Sequence, residues 1–255
     1  MERTQELISV VMPAYNSEEY IAKSIESVLN QTWSDWELIV VDDASTDQTE
    51  KIVRSYISRY PQIRLLKNKK NQGVAWSRNQ GIYQARGAWI AFLDSDDCWM
   101  PEKLEKQILL SRSCAAVFLF TGTAFMDETG KLLAGHLSVP PQINYRQLLK
   151  QNVISCSSVL IRKQLILGYP MEGNDLHEDF VTWLKILRDY NICAVGIDEP
   201  LLIYRINPIS RSGNKKKSAL MTYRVYRAVG LNCITAFYYW CWYVYLSLKK
   251  YRKIS

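Results

Sequence analysis

Short apolar runs recur along the first hundred residues, each followed by a polar turn and then by apolar residues at helical spacing. Leu38–Val41 and Trp89–Leu93 are continuous stretches of the kind that strands buried on both faces show, and Leu7–Met12 and Ile63–Leu66 are largely apolar strands interrupted by Ser9 and Arg64. Between the first two, Ile21, Ile25, Val28 and Leu29 mark one face of a helix. Ile52, Val53, Tyr56, Ile57 and Tyr60 mark a second helix, and a third runs to Ala85 before Gly87 returns the chain to a strand. Pro13 closes the first strand, Asn16-Ser17-Glu18-Glu19 has the pattern of a capping box, and Ser45-Thr46-Asp47 opens the second helix. The order β-α-β-α-β-α-β with short connections predicts an α/β fold: a parallel sheet with helices on its faces.

The second half is less regular. Ala115–Thr121 reads as a strand, and Asp127-Glu128-Thr129-Gly130 as a turn between strands Thr123–Met126 and Lys131–Ala134. Tyr145–Gln151 reads as a short helix and Ser155–Ile161 as a mixed strand. The serines of that strand either line an acceptor pocket or are its ordinary polar positions. Phe180, Val181, Leu184 and Leu187 give a helix whose first turn carries Glu178 and Asp179. From Ala228 to Leu248 the chain runs 21 residues without a charge and holds Phe237 through Tyr243, a dense aromatic run. That length spans a bilayer. However, Tyr and Trp favour the interface, and Arg224, Arg227, Lys249 and Lys250 flank the stretch, which fits a helix lying in the membrane surface. A bilayer-spanning helix and a protein-packed helix are the alternatives.

Carboxylates stand at the strand ends. Trp89–Leu93 is followed at once by Asp94-Ser95-Asp96-Asp97, and Leu38–Val41 by Asp42-Asp43. Unpaired buried charge is costly, so the three carboxylates after Leu93 are expected to emerge at the carboxyl rim, where open α/β sheets place ligands. Parallel strands present these ends together, so Asp42/Asp43 and Asp94/Asp96 should face one crevice. Hard oxygens at that spacing suit Mg²⁺ or Mn²⁺, with substrate phosphate completing the shell. The competing reading is an acidic turn capping the next helix, whose first turn is Pro101-Glu102. No GxGxxG follows the first strand, which argues against a dinucleotide dehydrogenase.

The formal charge of +7 is unevenly spread, with Lys215-Lys216-Lys217 and Lys249, Lys250, Arg252 and Lys253 in two clusters. Such clusters suit anionic lipid or nucleic acid. Lying beside an aromatic apolar segment and without a groove-reading motif, they argue against nucleic acid. The six cysteines have no paired spacing, so neither a zinc site nor a disulfide framework is expected, and a reducing compartment fits. Met1–Glu6 is polar and shows no signal-peptide pattern.

Five stretches in fixed order carry a resemblance: Ser9–Asn16, Ser27–Thr32, Glu37–Asp47, Asn71-Gln72-Gly73 through Arg78-Asn79, and Ala91–Trp99. In these the chain resembles a family 2 glycosyltransferase of GT-A fold, of the small bacterial kind that adds one sugar to cell-surface polysaccharide or teichuronic-acid-type precursors. The resemblance implies a Rossmann-like nucleotide-sugar-binding half over 1–112 and an acceptor-binding half over 113–213. Beside what the resemblance implies, the basic, aromatic segment over 214–255 is expected to associate with the membrane. The resemblance implies a nucleotide-sugar donor, most often UDP-linked, with Tyr15 after Pro13 near the base and Asp42 bonded to uracil. Asp94-Ser95-Asp96 matches the DxD motif, with Asp96 the Mn²⁺ or Mg²⁺ ligand and Asp94 nearer the ribose. Glu178-Asp179 resembles the second acidic motif, with Asp179 the catalytic base. Tyr204-Arg205 and Ser210/Ser212 resemble a loop that closes over donor phosphates. The implied reaction is inverting transfer to a hydroxyl of a glycan or lipid-linked acceptor at the cytoplasmic face of the cell membrane. A polyprenol-phosphate sugar synthase and a catalytically silent nucleotide-binding scaffold are the alternatives. The processive members' tryptophan motif is absent, which favours addition of a single sugar. Sugar, linkage and oligomeric state are open.

Overall fold

A computed structural model describes residues 6–173, 176–206 and 215–251 of the chain. The first half follows the hydrophobic pattern closely. Strand β1 (Ile8–Ala14) leads through α1 (Ile21–Leu29) to β2 (Trp36–Asp42), then α2 (Thr49–Ile57), β3 (Ile63–Lys67), α3 (Val74–Gln84) and β4 (Trp89–Phe92). These four strands lie in the order β3-β2-β1-β4, and every pairing among them is parallel. Alternate side chains divide between the two faces, as the strand period of two requires. Val10, Met12, Leu38, Val40 and Ala91 pack on one side with Ile21, Ile25 and Val28 of α1. Val11, Ile39, Val41, Ile90 and Phe92 pack on the other with Ala75 and Ile82 of α3. Gly81 lets α3 lie against β1, because a Cβ there would come within 2.3 Å of Val11 Cγ1.

Beyond β4 the sheet becomes mixed. The chain continues through β5 (Cys98–Trp99), α4 (Lys103–Cys114), β6 (Phe118–Met126), β7 (Leu132–Leu137), β8 (Gln142–Ile143) and α5 (Tyr145–Lys150). It then passes a 3₁₀ turn at Cys156–Ser158, β9 (Leu160–Arg162), α6 (Lys163–Leu167), α7 (Glu178–Asp189), β10 (Ala194–Arg205), α8 (Lys215–Ala228) and α9 (Cys233–Tyr251). Strand β9 is antiparallel to β4 on one side and to β6 on the other, and joins the two halves into one sheet. Strand β10 runs parallel to β6 with β5 antiparallel on its far side, while β7 and β8 are antiparallel side strands. At the start of α4, Lys103 is fully buried. Its Nζ donates to Gln107 Oε1 (2.8 Å) and stands 4.1 Å over the Trp99 ring.

Four sequence expectations change. The Asn16–Glu19 stretch does not cap α1, which starts at Ile21 without a side-chain cap. Instead Ser17 N donates to Thr49 Oγ1, Glu18 N to Asp47 Oδ2, and Glu18 Oε2 accepts from Gln48 N, so these groups bind the β2–α2 loop. The strands expected at 115–121 and 123–126 are one strand, β6. Ser155–Ser158 forms a turn rather than a strand, closed by Ser158 N–H and Oγ both donating to Ser155 O. Finally, the uncharged stretch 228–248 is not one helix. Gly230, at φ +89°, ends α8 with a Schellman turn in which Leu231 N donates to Tyr226 O and Gly230 N to Arg227 O. Among the described residues no helix is long and apolar enough to cross a membrane.

Candidate active site

The carboxyl rim of β1, β2 and β4 collects the acidic residues. Strand β1 pairs with β4 only as far as Val11, then continues beside β2 to Ala14. Pro13 therefore faces the side that β4 has already left, where its missing N–H costs no ladder bond. Tyr15 follows at the rim, half of its surface exposed.

Asp42 ends β2 and is fully buried. Its Oδ1 accepts from Ser45 N (3.0 Å), whereas Oδ2 is buried with no hydrogen-bond partner. A buried, unsatisfied carboxylate oxygen is costly and is best explained by a donor group that a ligand brings. Asp43 has the opposite character. Its Oδ1 accepts from Asn68 Nδ2 (2.7 Å) and Gln72 N (2.9 Å) and its Oδ2 from Gly73 N (2.7 Å). Those bonds fix the start of α3 and leave Asp43 a scaffold residue.

After Leu93 the three carboxylates separate. Asp94 is one-third exposed and receives Arg78 Nη2 at 2.6 Å, while its own N–H donates to Ser157 Oγ (3.1 Å). Ser95 is buried, its hydroxyl 2.8 Å from that of Ser17 and its carbonyl accepting from Ser24 Oγ (2.8 Å). Asp96 is half-buried, and burial together with the charge of Asp94 pushes its carboxyl up to about 6. Asp97 does not emerge as expected. It turns inward and is 1% exposed, with Oδ1 accepting from Arg205 N (3.0 Å). Burial, then Asp96 and Asp94, hold its carboxyl well above the usual range.

Arg205 ends β10 rather than lying in a loop, and its guanidinium is 4.3 Å from the Tyr20 ring centre. Its Nε donates to Asp96 O and its Nη1 to the carbonyls of Asp127 and Glu128. It thereby braces the backbone that presents Asp96, while Nη2 is buried without a partner. Ser210 and Ser212 lie outside the described residues.

The second acidic motif opens α7. Glu178 is buried and Asp179 half-buried, both in the first turn, where negative charge complements the helix dipole. The residue that unites the two motifs is Arg78 of α3, to which the sequence reading attached no role. Nearly fully buried, it reaches Asp94 with Nη2 and Glu178 Oε1 with Nη1 (3.0 Å). Burial works against its charge, but Asp94, Glu178 and Asp179 hold it firmly protonated. Its place in the stretch Asn71–Asn79 was the only sequence signal, since its partners are 16 and 100 residues away.

Among the described residues no group of three or more His, Cys, Asp or Glu is placed to hold a metal by itself. Asp94 and Asp96 nevertheless fit a divalent cation as hard oxygen donors whose mutual repulsion it would relieve, with donor phosphates as further ligands.

A family model described as glycosyl transferase family 2 matches residues 9–165. The chain is 38% identical over 231 residues to TuaG of Bacillus subtilis, named for teichuronic acid biosynthesis, covering 90% of each protein. It is 36% identical over 247 residues to WfgD of Escherichia coli, covering 96% of this chain and 95% of that one. WfgD is named a UDP-Glc:alpha-D-GlcNAc-diphosphoundecaprenol beta-1,3-glucosyltransferase. The crystal structure of S. aureus TarS 1–349 in complex with UDP-GlcNAc superposes with a TM-score of 0.70 at 21% identity, over 90% of this chain and 69% of that one.

Proposed function

The chain belongs to glycosyl transferase family 2 and is a glycosyltransferase, and we propose that it moves one sugar, with inversion, from a UDP-sugar to an acceptor hydroxyl. The observation that carries this reading is the meeting at one rim of an unsatisfied Asp42, the Asp94–Asp96 pair and the Glu178–Asp179 helix start, the last two joined by Arg78. Asp42 Oδ2 would accept from the donor's base, beside the exposed ring of Tyr15. Asp96, with Asp94, would hold Mg²⁺ or Mn²⁺. Such an ion, when bound, supplies Lewis-acid stabilisation of charge on the diphosphate leaving group. Asp179 would take the proton from the acceptor oxygen as that oxygen attacks the anomeric carbon from the face opposite the departing diphosphate. The bond from oxygen to the anomeric carbon forms, that to the phosphate oxygen breaks, and the proton resides on Asp179.

The acceptor is proposed to be a lipid-linked saccharide of a cell-surface polysaccharide, used at the cytoplasmic face of the membrane. The lipid-linked acceptor in WfgD's name and the teichuronic acid in TuaG's support the acceptor class. The test is turnover of UDP-, GDP- and dTDP-sugars with Mg²⁺, with Mn²⁺ and with EDTA. Metal-dependent consumption of a UDP-sugar is expected. Binding of UDP-sugar with no turnover, even with membrane extract as acceptor source, would leave only a nucleotide-binding scaffold.

A further inference from the structure

Helix α9 has two unlike faces. Ala236 is fully buried, and Tyr239 and Trp240 pack against the core, with Trp240 Nε1 donating to Ala219 O of α8 (2.8 Å). Roughly opposite, Ile234, Phe237, Tyr238, Cys241, Trp242 and Tyr245 recur at steps of three and one, which places them in a single stripe. All six are exposed, Ile234 at 84%, and none is charged. A contiguous apolar face of this kind is unusual on a monomer left in water. The hairpin that bears it is held firmly: Tyr226 of α8 donates to Leu149 O (2.6 Å), and its ring meets Phe180 of α7 edge-on at 6.2 Å. Arg188 Nη1 of α7 donates to Val229 O in the turn (2.6 Å).

Charge identifies the occupant. Residues 214–255 contain nine Lys and Arg and no Asp or Glu, more than the whole molecule's excess of +7, so the rest of the chain is slightly acidic. Exposed Arg224 and Arg227 belong to this set, and Lys150 Nζ stands over the Trp242 ring (5.3 Å) beside the stripe. We infer that the α8–α9 hairpin is a monotopic membrane anchor whose Ile234–Tyr245 stripe enters the headgroup layer of an anionic bilayer. Aromatic side chains suit that layer, and cations around them add attraction to anionic lipid. Because α7 is fixed to the hairpin, docking also sets the tilt of Glu178 and Asp179 relative to the lipid surface. The inference deepens the proposed function by naming the surface that would bring enzyme and lipid-linked acceptor together.

The experiment is co-sedimentation of the full chain with vesicles of phosphatidylcholine alone or rich in phosphatidylglycerol, with no donor or acceptor present. The wild type is expected on the phosphatidylglycerol vesicles and to be released by salt. F237S/W242S should weaken binding about tenfold or more, on the order of one buried aromatic side chain. Ile234→Ser alone, at the most exposed position, covers the case in which the double variant fails to fold. UDP-sugar binding and far-UV spectra of the variants should match the wild type. Wild type that stays in the supernatant, or variants that bind equally well, would overturn the anchor. A dimer that F237S/W242S converts to monomer, with no vesicle binding, would give the face to a second copy. None of these readouts depends on transfer chemistry, so loss of the anchor leaves the glycosyltransferase reading standing and the reverse holds too.

Discussion

At the scale of single residues, three ionisable groups, two of them fully buried, behave differently because their surroundings differ. Asp42 keeps one oxygen unsatisfied, so Asp42→Asn should leave the fold intact while cutting UDP affinity about tenfold, measured by calorimetric titration. Asp179 is the proposed base. Asp179→Asn should lower kcat by about 10²- to 10⁴-fold at little change in UDP-sugar affinity, and an unchanged kcat would take that role away. Lys103 is buried with no carboxylate, and burial holds its pKa well below the usual value. Below about pH 10.5 the unfolded chain therefore binds a proton that the native state resists, and native stability is lost as pH falls toward the depressed value. Lys103→Met lacks this linkage. Its stability relative to wild type in urea unfolding should be greatest near neutral pH and shrink as pH approaches about 10.

At the scale of elements, what was legible in the sequence is what depends on local period. The runs at Leu7–Met12, Leu38–Val41 and Trp89–Leu93 fall on β1, β2 and β4, because burial on both faces leaves an apolar signature broken only at Ser9. The acidic stretches at 42–43 and 94–97 were legible as candidates because each follows such a strand, and 178–179 because it opens a helix of clear apolar period. What depends on distant partners was not. Asp97 is drawn inward by the backbone N–H of Arg205, and Ser17 and Glu18 turn to the β2–α2 loop rather than cap α1. Arg78 belongs to this second kind, tying α3 to the loop after β4 and to the start of α7. Removing one member of a buried ion pair leaves uncompensated charge. Arg78→Met should cost about 3 kcal/mol of unfolding free energy. Arg78→Lys should retain much of that stability yet turn over more slowly, since a single ammonium cannot match the planar fork that meets both carboxylates.

At the scale of the whole molecule, the strand that closes the inner edge of the parallel unit comes late in the chain. β4 ends at Phe92, and its antiparallel partner β9 begins only at Leu160. During synthesis at roughly 5–20 residues per second, the β4 edge therefore stands uncovered for roughly 3–14 seconds before β9 leaves the ribosome. Open strand edges template mispairing. A fragment ending at residue 112 would keep that edge permanently and should collect in inclusion bodies on expression, whereas the full chain should escape them, free or with the membrane fraction of the same lysate. The antiparallel strand that unites the two halves of the sheet thus also makes the nascent protein a client for chaperones, with the interval of danger set by translation speed.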